Sequence, residues 1–264
     1  MTFTDAPALK PKPAPISANA LILVAIFTAL AFALARMPDP PGVLTFAFVV
    51  VGWVLSVVVH EFGHAFVAYK AGDHTIADKG YLTLDPLKYT DLSTSLILPL
   101  VVLALGGIGF PGGAVYLRED LMRSKRGRAL ASLAGPLGTL AVLVALAVCL
   151  AADRAFGVQS SALSRAAAFL AFLQAFALVL NLLPLPGLDG FGVIRPYLPV
   201  AVQQQALKVG GLVFIGLFLA IFFIPGVNDA LFGVVLTITD LFGIARRDIG
   251  AGLGAFRFWQ AAAG

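Results

Sequence analysis

Apolar residues in this chain run in long blocks rather than in alternation. The blocks cover about 16–35, 43–69, 96–110, 129–152, 166–183, 207–224 and 227–244. A helix crossing the ~30 Å hydrocarbon core of a bilayer needs roughly 17–25 apolar residues, and every block except 96–110 reaches that length. Between the second and third blocks lies a polar, turn-rich stretch, 73–94, in which Gly80-Tyr81-Leu82-Thr83-Leu84 alternates as a strand would. The pattern predicts an all-α polytopic membrane protein with about six transmembrane helices. It also predicts a short β-like hairpin and a re-entrant segment after the second helix. Residues 1–15 are polar and proline-rich and read as a tail rather than a signal peptide. A single membrane domain is expected over 16–244, followed by a second tail over 245–264.

Block 96–110 decides the topology. It is short, carries Pro99, and runs into Gly106-Gly107 and Pro111-Gly112-Gly113, which suits a re-entrant element better than a span. With that reading and the amino terminus inside, Lys70, Lys79, Lys88 and the basic run 118–128 face the cytoplasm, and Arg36, Arg154 and Arg165 lie outside. A full span at 96–110 would erase that bias, so the positive-inside rule favours re-entry. The second helix then runs from outside to inside.

Composition agrees: 59% of residues are hydrophobic and 12% charged, with a mean hydropathy of +0.94, whereas soluble domains carry about a quarter charged residues. The net charge of +4 sits in loops and reports orientation, so no nucleic-acid partner is expected; the bilayer is the expected surroundings. The single Cys149 excludes an internal disulfide.

The chemistry sits in the second block. His60-Glu61-Phe62-Gly63-His64 is an HExxH motif, whose two histidines share one helix face and can reach one Zn²⁺. Glu61, rotated off that face, can serve as a general base toward water. Ionisable groups at membrane depth are costly unless they face a cavity and serve a function. A catalytic zinc wants a third protein ligand, and Asp189, His74 and scattered loop acids are the candidates. Asp189 follows Pro184, Pro186 and Gly187 at the end of the fifth block, where the helix must unwind, and such backbone is tolerated at membrane depth only inside protein or along a cavity.

Asn181-Leu182-Leu183-Pro184-Leu185-Pro186-Gly187-Leu188-Asp189-Gly190 resembles the NxxPxxxLDG pattern of the site-2 protease family of intramembrane zinc metalloproteases, and His60–His64 resembles its HExxH. The likeness is to compact members without PDZ or CBS domains and covers about 43–196. It implies a three-helix catalytic core, one zinc held by His60, His64 and Asp189, Glu61 as the catalytic base, and Asn181 as a holder of the substrate or the oxyanion. Ala134-Gly135-Pro136-Leu137-Gly138-Thr139 is similar to the family's Ala-Gly-Pro-x-x-Asn, which puts Thr139 in the Asn position as a second substrate contact. Asp85 and Tyr89 stand where relatives carry Asn and His.

The function these readings imply is hydrolysis of peptide bonds in or next to transmembrane segments of membrane-protein substrates, in the cell (inner) membrane. An edge strand within 73–84 could clamp an extended substrate by β-addition. Two other functions compete: a catalytically silent member kept as a membrane scaffold, against which the intact His60, Glu61, His64 and Asp189 argue, and a metal transporter. The halves of the chain show no matching helix breaks of the kind an inverted repeat leaves.

Overall fold

The computed structural model describes residues 16–89, 117–157 and 160–261. Eight helices carry most of them: α1 (Ala18–Arg36), α2 (Gly42–Ala71), α3 (Lys125–Ala155), α4 (Ala162–Leu182), α5 (Asp189–Ile194), α6 (Val200–Phe223), α7 (Pro225–Leu241) and α8 (Arg246–Phe256). Five of these are long and apolar enough to cross a membrane, and six spans result if α7 and α8, bent by 116° at their junction, count as one. The chain is a multi-pass membrane protein. Every block long enough to span becomes a helix, while block 96–110 lies outside the described residues.

Local chemistry sets the helix ends. Ser17, Ser124 and Ser161 accept the backbone N–H of Ala20, Gly127 and Ser164 at the starts of α1, α3 and α4, satisfying donors that have no partner within the helix. Pro184 and Pro186 follow α4, where they cannot continue the helical hydrogen-bond ladder.

The arrangement is concentric about α4. Its membrane-length window is 83% buried, against 11% for α1 and for α6, as expected of a helix apolar on all sides. Phe48 and Trp53 of α2, Leu143 of α3 and Leu170, Leu173 and Phe176 of α4 form the centre of the core. The most extensive helix pair is α2 with α3.

The two ends of the bundle differ. At one end, Arg123 N–H donates to the Ala71 carbonyl (3.0 Å), Arg118 N–H to Asp73 Oδ2 (2.7 Å), and Ser17 N–H to the Thr83 carbonyl (2.8 Å). The chain therefore leaves at residue 89 and returns at residue 117 on the same end. At the other end, the Arg154 guanidinium meets the Gly243 carbonyl and Gly42 lies against Ala255 and Phe258.

Two expectations change. Residues 80–84 form a turn, not a strand: Gly80 (φ 74°) and Leu84 (φ 55°) are left-handed, and the Thr83 N–H and hydroxyl both return to the Gly80 carbonyl at 3.2 and 2.7 Å. That turn uses locally the groups a strand edge would offer, and Leu82 packs toward Ile76 and Met122. No strand occurs among the described residues, and no extended run in 73–84 supports a clamp. Residues 245–264, expected as a tail, contain α8, whose Ile249, Gly252 and Phe256 are buried and which packs along α4.

Candidate metal centre

Helix α2 brings His60 and His64 one turn apart, with their Nε2 atoms 3.1 Å from each other. Asp189, the first residue of α5, reaches both: Oδ2 lies 3.1 Å from His60 Nε2, and Oδ1 lies 3.3 Å from His64 Nε2. The three residues offer ligand atoms all within 4.8 Å of one another. Two imidazole nitrogens and a carboxylate oxygen form the donor set of a catalytic zinc site with one position left open. His74, the other histidine, rests edge-on against the Tyr69 ring at 5.0 Å and is outside this group.

The far side of each imidazole is held as a ligand requires. His64 Nδ1–H donates to the Ala131 carbonyl (2.7 Å), which can only accept, so the Nε2 lone pair is directed at the centre. His60 Nδ1 bonds Thr139 Oγ1 at 2.8 Å. Thr139 is buried, and its hydroxyl meets a ligand rather than only open cavity.

Close approach of α3 to α2 makes these contacts possible. A Cβ at Gly63 would stand 2.5 Å from the Ala134 carbonyl oxygen. A Cβ at Gly135 would stand 2.7 Å from His60 Nε2 and closer still to His64 Nε2. Only a residue without a side chain leaves space in front of both imidazoles.

The centre opens on a cavity of about 350 Å³, lined among others by Ser56, Glu61, Thr139, Asn181 and Glu119. Glu61 is 3% exposed and stands next to His60 on the cavity side. Asn181 occupies the last turn of α4 rather than the unwound stretch that follows, and it is buried against the cavity. Glu119 forms an ion pair with Arg195, joining the returning chain to the segment after α5. Tyr89 donates from its phenol to the Tyr81 carbonyl (2.5 Å). Burial raises that phenol's pKa, and the charges of Glu61 and Asp85 add to the shift.

Known proteins extend this geometry. The chain is 44% identical over 253 residues to the "Putative zinc metalloprotease Rip2" of Mycobacterium tuberculosis strain H37Rv, an alignment that covers 94% of this chain and 95% of that protein. This chain belongs to the site-2 protease-like family. A second family member, the protein of the same name from Mycolicibacterium smegmatis, is 42% identical, with 95% of both chains covered. The "Putative zinc metalloprotease YwhC" of Bacillus subtilis is 32% identical over 65% of this chain and 80% of its own length. No family model and no solved structure matches the chain. The cofactor is zinc, and the His60, His64 and Asp189 donors fit it in kind and separation.

Within the site-2 protease-like frame, the expected residues His60, Glu61, His64, Asp189, Asn181 and Thr139 all border one cavity. Sequence reading missed the Ala131 carbonyl, because a backbone acceptor has no signature of its own. It also missed the part played by Gly135, although the Ala134-Gly135-Pro136 motif was in view.

Proposed function

We propose that this chain is an intramembrane zinc metalloendopeptidase that hydrolyses peptide bonds in or beside transmembrane segments of other membrane proteins. The observation that carries the reading is the His60, His64 and Asp189 cluster, with Glu61 beside it, opening on a polar cavity between apolar helices. Zinc bound there supplies Lewis-acid chemistry, acidifying water and polarising the scissile carbonyl.

The chain's own groups do the rest. Glu61, shielded from bulk water, takes a proton from the attacking water and delivers it to the leaving amine. The Asn181 amide, which can both donate and accept, holds the substrate backbone or the developing oxyanion. Ala131 and Thr139 keep the imidazoles aimed. The substrate must unwind before it reacts, since a helical amide is engaged in its own hydrogen bond.

The segregated bundle ends support an orientation as well. Arg123, Lys125 and Arg126 gather at the end where α2 finishes, and Arg154 and Arg165 lie at the end where α8 packs. By the positive-inside rule the first end is cytoplasmic. The amino terminus is then cytoplasmic, in the cell membrane.

The test is zinc content and cleavage of a model transmembrane substrate, measured together on purified protein. Replacing His60, His64 or Asp189 with Ala should remove zinc and activity alike. Glu61→Gln should keep the metal and abolish cleavage. Cleavage by Glu61→Gln at the parent rate would overturn the assignment.

A further inference from the structure

Two buried donors on the same cavity have no partner. Trp53 is 4% and Gln174 1% exposed, and both side chains line the cavity that holds the metal cluster. Neither Trp53 Nε1 nor Gln174 Nε2 meets a hydrogen-bond acceptor among the described residues. Unsatisfied buried donors are rare in native structures because they cost stability, so a pair beside a catalytic centre calls for an acceptor.

Their positions repeat the spacing of the site itself. Trp53 lies two helical turns before His60 on α2, and Gln174 lies two turns before Asn181 on α4. Seven residues along a helix return a side chain to nearly the same face. Ser56 and Val57 of α2 and Ala177 of α4 line the interval between the two levels. At 1.5 Å per residue the levels are ~10 Å apart, the length of about three residues of extended chain.

We propose that Trp53 and Gln174 form a second subsite that receives a backbone carbonyl of the unwound substrate about three residues from the bond being cut. The inference deepens the endopeptidase reading above and rests on it. The indole offers a donor and no acceptor, and the carboxamide nitrogen offers two donors. A transmembrane segment pulled out of its helix exposes carbonyls that have lost their intrahelical partners, and such groups are expensive away from water. Both nitrogens are closed to a water-sized oxygen as the side chains stand, so an acceptor is met only when the side chains turn toward the cavity, as the rotatable Gln174 amide can. Recognition of this kind reads an extended backbone and tolerates varied side chains.

Trp53→Phe and Gln174→Leu remove the donors while keeping most of the volume. Each is placed in the zinc-loaded Glu61→Gln protein for affinity toward a fluorescent transmembrane peptide in detergent micelles, and in the Glu61 parent for kcat/KM. We expect Kd to rise and kcat/KM to fall about tenfold for each, the size of one lost hydrogen bond. Zinc content should be unchanged and the melting temperature equal or higher. A peptide with a backbone ester replacing the amide three residues from the scissile bond has a weaker carbonyl acceptor. It should bind the parent less well, with the difference smaller in either single variant and absent when Trp53→Phe and Gln174→Leu are combined. Values within twofold of the parent, with cleavage intact, overturn the subsite and leave the endopeptidase reading standing. Loss of zinc or of melting temperature in both variants also overturns it, in favour of a structural role. A parent that binds the peptide without cutting it overturns the endopeptidase reading alone, and the Kd comparison then decides the subsite. A parent that neither binds nor cuts overturns both.

Discussion

Gly135→Ala is the most demanding substitution for this centre, since it adds one methyl group and changes no polar atom. The new Cβ would lie 2.7 Å from His60 Nε2 and nearer to His64 Nε2, whereas ordinary contacts begin at 3.4 Å. The His60 ring alone must retreat by about 0.7 Å, several times the ~0.2 Å latitude of a metal–ligand distance. A retreat of helix α3 instead would pull Ala131 and Thr139 away from the His64 and His60 Nδ1 atoms that they hold at 2.7 and 2.8 Å, so it too would disturb the ligands. Displaced second-sphere partners alone cost 10–100-fold in metal affinity, and here the ligands themselves move, so zinc affinity should fall at least about a hundredfold. Alanine is the better helix former by about 1 kcal/mol, so the helical fold should survive. The assay is elemental zinc per chain after purification in detergent, with circular dichroism to confirm the helices. Stoichiometric zinc and parental cleavage in Gly135→Ala would refute the packing argument.

Three further outcomes follow from the same geometry. Thr139→Val should lower zinc affinity about 10–100-fold by releasing His60 Nδ1, with Thr139→Asn close to the parent in a zinc-competition titration. Asn181→Ala should keep zinc and melting temperature and slow cleavage by on the order of 10²–10³, the usual cost of one lost oxyanion donor; a lowered melting temperature with normal cleavage would reduce Asn181 to a helix-end role. Cysteines placed at Lys88 and Arg126 should be labelled by an impermeant reagent from the same, cytoplasmic side, and labelling from opposite sides would make 96–110 a full span.

Much of the helical architecture was legible because each span is a local property, a long run of apolar residues. The metal ligands were legible for a related reason: one helical turn separates His60 from His64, and a proline-broken helix end presents Asp189. Other features depend on long-range packing. The stripe of Ile249, Gly252 and Phe256 in α8 is too narrow to be read as apolar among Arg246, Arg247 and Asp248, and its burial arises only where Gly252 meets the Arg165 carbonyl. Five alternating residues at 80–84 resembled a strand, yet with two left-handed positions they close a turn. The steric part of Gly135 exists only at the α2–α3 crossing.

The ligands come from two places in the chain that are far apart in sequence, the middle of α2 and the broken segment after the most buried helix. An ion held by all three therefore staples the first half of the membrane bundle to the second. Closing so long a loop is entropically costly, and a metal that favours the closed form adds its binding free energy to folding. The stretch from Leu183 to Leu188 has little other anchorage in regular structure. In the metal-free protein this stretch should become the first site of proteolytic nicking, so that the same three side chains that hold the metal also keep the chain from being cut.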